Sequence, residues 1–96
     1  MIVHWTPQAT DDLQAIYDFI ARDSPHYAQL TVEEIILAID RLVQFPLMGR
    51  VVPERRRDDL RELIKPPYRI VYRLGERINI LTVFRASRFF PFIESR

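Results

Sequence analysis

The sequence predicts an α+β fold of order β-α-α-β-β-β, a helical hairpin packed on a small, mainly antiparallel sheet, and three observations predict it. Between Ala9 and Val43 the apolar residues recur at helical spacing in two runs divided by a short joint before Ser24-Pro25. From Leu60 to Leu74, LRELIKPPYRIVYRL reads as two strands turning at Pro66-Pro67, which cannot donate to a ladder. Finally, Ile78, Ile80, Leu81, Val83 and Phe84 make a run that is apolar at both parities, the pattern of an interior strand.

Taken in order, Ile2 to Trp5 is a short strand, ended by Thr6 as helix cap and Pro7 at the first helical position. Leu13, Ile16, Tyr17 and Ile20 then form one stripe of a helix running to about Arg22, with Asp11 and Asp12 complementing its positive end. Ser24-Pro25 repeats the cap, and Ala28, Val32, Ile35, Ile36, Ile39, Leu42 and Val43 line a second helix that ends at Phe45-Pro46. The joint is short enough that the two helices must lie side by side, roughly antiparallel. PLMGRVVPERRRDD follows as a surface loop. In the next hairpin Tyr68, Ile70, Tyr72 and Leu74 alternate with Arg69, Val71 and Arg73, so one face should build the core while the other presents two guanidiniums. Gly75-Glu76 turns into the last strand. The expected common core is Leu13, Ile16, Ile20, Ile35, Ile36, Ile39, Ile70 and Tyr72.

The 96 residues, 48% hydrophobic and 28% charged, are read as a single domain over 1–96. The absence of cysteine excludes a disulfide framework and thiolate metal sites, and His4 and His26 have no second ligand at metal spacing, so neither metal nor cofactor is expected. The start has no basic n-region before an apolar run and no stretch nears the ~20 apolar residues that span a bilayer, so no membrane role and a cytoplasmic location are expected.

Charge is segregated: residues 1–49 carry a net −5 and residues 50–96 a net +6. Such a split fits an acidic or phosphate-rich partner for the second half, and equally a lopsided solvated surface. Arg55, Arg56 and Arg57 could face an acidic protein, and Leu30 and Leu37, seven residues apart and opposite the main stripe of their helix, could add to a protein interface. In the closing ASRFFPFIESR, Phe89, Phe90, Phe92 and Ile93 crowd around Pro91 beside Arg85 and Arg88, either as a lid on the core or as an exposed aromatic patch.

Trp5 before a helix carrying Ala9, Asp12-Leu13, Ile16 and Ile20, then Phe45-Pro46, Gly49-Arg50, Pro53-Glu54, Arg61-Glu62 and Tyr68-Arg69-Ile70-Val71-Tyr72, resembles the RelE/ParE superfamily of bacterial toxins over nearly the whole chain. The resemblance implies the toxin half of a type II toxin-antitoxin pair, of the kind that serves plasmid stabilisation, with a cognate, ParD-like antitoxin. It also implies one of two activities. RelE-like members are endoribonucleases that use no metal and act on messenger RNA, free or at the ribosome. For that chemistry the resemblance puts Glu54 as general base and Arg69 as phosphate holder, with Arg61 and Arg85 adding positive charge, but Glu54, Arg61 and Arg69 recur in both branches and serve equally as ion-pair and hydrogen-bond partners within the fold. The end of the last strand, where those nucleases place a His or Tyr as acid, reads here Phe84-Arg85-Ala86-Ser87-Arg88-Phe89 and offers no acid for neutral pH. ParE-like members poison DNA gyrase and lack that acid, and the long helical hairpin is theirs. A gyrase contact surface of Arg69, Arg73, Arg85, Arg88, Phe89 and Phe90 is therefore expected, without catalysis, and antitoxin contacts at Leu30, Leu37 and Arg55 to Arg57. A relative that has lost toxicity and only binds is a third possibility.

Overall fold

The structure, a computed structural model, describes residues 1–91. Strand β1 (Val3–Trp5) leads into helix α1 (Pro7–Ala21), whose start is fixed by Thr6: its Oγ1 accepts from the Ala9 amide at 3.2 Å and donates to the Ile80 carbonyl at 2.7 Å. One hydroxyl thus caps the helix and ties it to the sheet. Because the helix begins at Pro7, Asp11 and Asp12 fall beyond its first turn, and the expected dipole role gives way to a tertiary one. The Asp12 carboxylate accepts from the Thr82 hydroxyl at 2.5 Å and the Val83 amide at 3.0 Å, pinning α1 to the last strand. Helix α2 (Pro25–Asp40) is capped by Ser24 and runs into a 3-10 turn, Arg41–Val43.

The sheet is completed by β2 (Arg50–Val51), β3 (Leu60–Lys65), β4 (Tyr68–Leu74) and β5 (Ile78–Arg85), in spatial order β1-β5-β4-β3-β2. All neighbours are antiparallel except β1 and β5. The interior position expected for the last strand is the one it takes. Strand β2 was not expected: two residues are too few to show a period, and pairing with Arg61 and Glu62 defines it. Between β4 and β5 the register skips Leu81, a bulge that changes the parity of β5. Before it, Ile78 and Ile80 face the helices; after it Val83 does, and Phe84 is delivered to the opposite face, directly across from Arg69.

Two apolar clusters result. The larger lies under the helices and joins Ala9, Ile35, Ile39, Leu42, Tyr68, Ile70, Tyr72, Ile78, Ile80 and Val83, with Leu13 and Ile16 half-buried against it. Ile36, expected in this core, is 38% exposed, since it sits ~100° around the helix from Ile35. Val43 also lies outside, carried away from the stripe by the 3-10 turn. The second cluster occupies the face of the sheet expected to be open: Val52, Leu60, Val71, Leu81 and Phe84 are buried there, with Phe90 packed on them. Strand β4 is therefore covered on both sides, and Arg69 is buried rather than presented. The aromatic tail divides accordingly. Phe90 meets Phe84 edge-on at 5.7 Å, Phe89 points into solvent, and Phe92 and Ile93 lie outside the described residues.

Candidate functional site

On the covered face, four charges alternate in a chain. The Arg69 Nη1 and Nη2 donate to both oxygens of Glu54 at 2.9 and 2.8 Å, its Nε donates to Glu62 at 2.6 Å, and the other Glu62 oxygen accepts from Arg50 Nε at 2.7 Å. Phe84 and Phe90 each set a ring 5.2 Å from the Arg69 guanidinium, and Arg55 lies 4.8 Å over the outer side of Phe90. All three nitrogens of Arg69 are engaged and its flat faces meet rings, so a phosphate would have to displace protein groups to reach it. Its side chain is 9% exposed, against 38% for Glu54 and 60% for Arg50.

Neighbouring polar groups hold this chain in register. The buried Tyr72 hydroxyl donates to the Pro46 carbonyl and accepts from the Gly49 amide, both at 2.9 Å, and burial pushes its ionisation upward. A Cβ at Gly49 would come within 2.5 Å of that hydroxyl and 2.6 Å of the Glu62 carbonyl, so only glycine lets the loop approach β3 here. Arg61 closes the other side, donating from Nη1 to Gly49 O at 2.9 Å and from Nε to Asp58 O at 3.0 Å. Sequence reasoning missed the Tyr72-Gly49 contact and the buried role of Glu62. Gly49-Arg50 in a loop was the available signal for the first; for the second there was none without the strand register.

The Arg69 hydrogen bonds lower the Glu54 pKa to about 2 from an ordinary carboxylate value of 4.5. A group so acidic is a poor base at neutral pH. It also links stability to acid. The depressed pKa contributes stability fully above the unfolded value and loses it as pH falls from about 4.5 toward 2, an effect moderated by the partial exposure of Glu54. Urea unfolding of Glu54→Gln should accordingly show a shallower acid loss than wild type in that window, and lower stability at pH 7. Parallel pH profiles for the two proteins would contradict the assignment.

Elsewhere the predicted residues separate. Arg57 pairs with Asp59 at 2.7 Å, and its hydrogen bonds hold that carboxyl below the usual range. Arg55 stacks on the tail, and Arg56 is exposed with its backbone in the left-handed region, φ 53°. Arg73 is half-buried and its Nε has no partner among the described residues. Arg85 and Arg88 are exposed and meet in a cleft of about 210 Å³ beside α1, with Arg85 5.9 Å over the Tyr68 ring. Leu30 and Leu37 are exposed on α2, and Leu37 lines a groove of about 370 Å³ with Met48 and Ile64. Phe19 on α1 and Tyr27 on α2 are exposed as well.

Two helices over a five-stranded, mostly antiparallel open sheet is the architecture that the resemblance to RelE/ParE superfamily toxins implies. The family model for the ParE toxin of type II toxin-antitoxin systems, parDE, matches residues 3–90, and the chain belongs to that family. It is 36% identical to "Putative toxin Y4kP" of Sinorhizobium fredii over 91 residues, 93% of this chain and 92% of that protein. To "Toxin RelE2" of Caulobacter vibrioides it is 36% identical over 88 residues, 90% of this chain and 96% of that one. A chain of the solved chromosomal ParDE TA system from P. aeruginosa has the same fold with TM-score 0.74 at 30% identity, covering 88% of this chain and 95% of its own. The names span both branches of the superfamily, so the activity has to be read from the side chains.

Proposed function

We propose that this toxin acts in the cytoplasm by inhibiting DNA gyrase and does not cleave RNA. The observation that carries the reading is the occupied Glu54-Arg69 pair. The one carboxylate in the position of a general base is held near pKa 2 by the arginine that would have held the phosphate, and both are committed to each other. No acid for neutral pH stands at the end of β5, where Arg85, Ser87 and Arg88 follow Phe84. What is left to meet a target is an exposed basic surface at Arg85 and Arg88, with Phe89 beyond it. Of the residues expected there, Arg69 and Phe90 drop out because they are packed.

A cognate, ParD-like antitoxin neutralises the toxin in this reading. Its apolar side chains would use Leu30, Leu37 and the groove that Leu37 lines, and its acidic ones the loop at Arg55, Arg56 and Arg57.

The test is a supercoiling assay run beside primer extension on translated messenger RNA. Wild type should inhibit supercoiling and leave no codon-phased cuts. Arg85→Ala with Arg88→Ala should raise the inhibitory concentration about ten-fold or more while leaving the melting temperature within a few degrees, since both side chains are exposed. Unimpaired supercoiling together with RNA cleavage that falls on the order of 10²-fold in Glu54→Gln would replace this reading with the nuclease.

A further inference from the structure

Two clefts meet at Tyr68 and Arg85. The first, about 210 Å³, lies between α1 and the end of β5 and includes Phe19 and Arg88; the second, about 170 Å³, lies at the Pro66-Pro67 corner and includes Tyr27 and Lys65. Each is smaller than the ~300–1,000 Å³ of a pocket that encloses a drug-sized ligand. Neither can take a whole metabolite, but two joined notches suit successive units of a polymer.

The side chains around them are of two kinds. Phe19 and Tyr27, one in each cleft, are 64% and 62% exposed, large rings left in water. Arg22 lies 5.7 Å over the Phe19 ring, and Arg85 lies over Tyr68 between the two notches. The cations Arg85 and Arg88 have no carboxylate partner among the described residues. Two acids line the clefts. Asp12 is already satisfied by Thr82 and Val83, and Glu34 stands 3.7 Å from Lys65, a loose surface pair that another anion can replace.

We propose that this strip binds a single-stranded stretch of nucleic acid, its phosphates at Arg85, Arg88 and Lys65 and its unpaired bases stacked on Phe19 and Tyr27. An acidic peptide would satisfy the cations and leave both rings in water. An apolar peptide would cover the rings and strand the cations. Exposed rings beside cations that no carboxylate holds tightly are the arrangement that serves bases joined by phosphates. The proposal rests on reading the Arg85 surface as the one that meets the target, and it deepens that reading: the toxin grips nucleic acid held by its target as well as the target protein.

The experiment is fluorescence anisotropy of a short labelled single-stranded oligodeoxynucleotide with the full chain, in a salt titration, without gyrase. Duplex of the same sequence and polyglutamate serve as competitors. The oligonucleotide should bind, with affinity falling against log salt at a slope of about −2 for three phosphates neutralised. Phe19→Ala and Tyr27→Ala should each weaken binding about five-fold or more with the slope unchanged, and Arg85→Ala with Arg88→Ala should flatten the slope. Thermal melts check that the variants fold. No binding, equal competition by duplex or polyglutamate, or indifference to both ring substitutions overturns the proposal. Supercoiling inhibition without oligonucleotide binding removes this inference and keeps the gyrase reading; oligonucleotide binding without supercoiling inhibition does the reverse.

Discussion

Ile39→Asp should leave no cooperatively folding domain at 25 °C, whereas Ile36→Asp, three positions earlier, should still fold and melt cooperatively at a reduced temperature. Ile39 is fully buried where α2 crosses the sheet, in one cluster with Ile35, Leu42, Ile70 and Tyr72, and no basic group of that cluster can pair a carboxylate. An unpaired buried carboxylate either stays charged against a large desolvation penalty or takes up a proton and loses the apolar contacts, so the change costs several kcal/mol. Against a total of ~5–15 kcal/mol that is enough to empty the native state. Ile36 has open water on one side, so an aspartate there can remain hydrated, and the change costs some helix propensity and the apolar contacts of its covered side without burying a charge. Circular dichroism melts of the two variants check this. A sharp transition in Ile39→Asp near the wild-type temperature would mean that α2 is not seated on the sheet as described.

The contrast between those two isoleucines also marks how far the sequence could be read. The helices, their order and their partners on the sheet were legible because Pro7 and Pro25 follow capping hydroxyls and the apolar stripes have the helical period. Ile36 was misplaced because a stripe read as a list does not say how wide the buried sector is. The alternation of β4 identified its two faces correctly and assigned the wrong environment to one. Val71 between Arg69 and Arg73 was the clue, since an aliphatic side chain on a supposedly open face needs cover. What supplies the cover is distant in sequence: Val52 from the long loop, Phe90 from the tail, and Phe84, which reaches that face only through the bulge at Leu81. A bulge adds one residue to a ladder and leaves no trace in composition or period, so the Arg69 cage could not be assembled beforehand. The positions of Glu54, Arg61 and Arg69 were named in advance with two meanings left open, partners within the fold or catalytic groups, because a salt-bridged pair and a base with its phosphate holder use the same residue types.

Those two meanings predict opposite results when Arg69 and its buried partner Glu62 are replaced together. Arg69→Ala alone should cost about 3–5 kcal/mol, because Glu62, fully buried, would keep only the largely exposed Arg50 as partner, and Glu54 would lose both of its hydrogen bonds from Arg69. In a domain of this size the melting temperature should fall by well over 10 °C. Toxicity would fall with it, and the single variant therefore says nothing about chemistry. Arg69→Met with Glu62→Leu is the informative one. It replaces the buried ions by apolar side chains in a space already walled by Val71, Phe84 and Phe90, a kind of exchange that is often neutral or stabilising, while Glu54 and Arg50 reach water and can rehydrate. If Arg69 and Glu62 serve only the packing of β3 against β4, the double variant should melt within a few degrees of wild type and inhibit supercoiling at a similar concentration. A nuclease using Arg69 on the scissile phosphate makes a different forecast, in which the double variant is folded and inactive by on the order of 10²-fold or more. A folded double variant without toxicity would therefore give Arg69 a direct role and reopen the catalytic reading of Glu54.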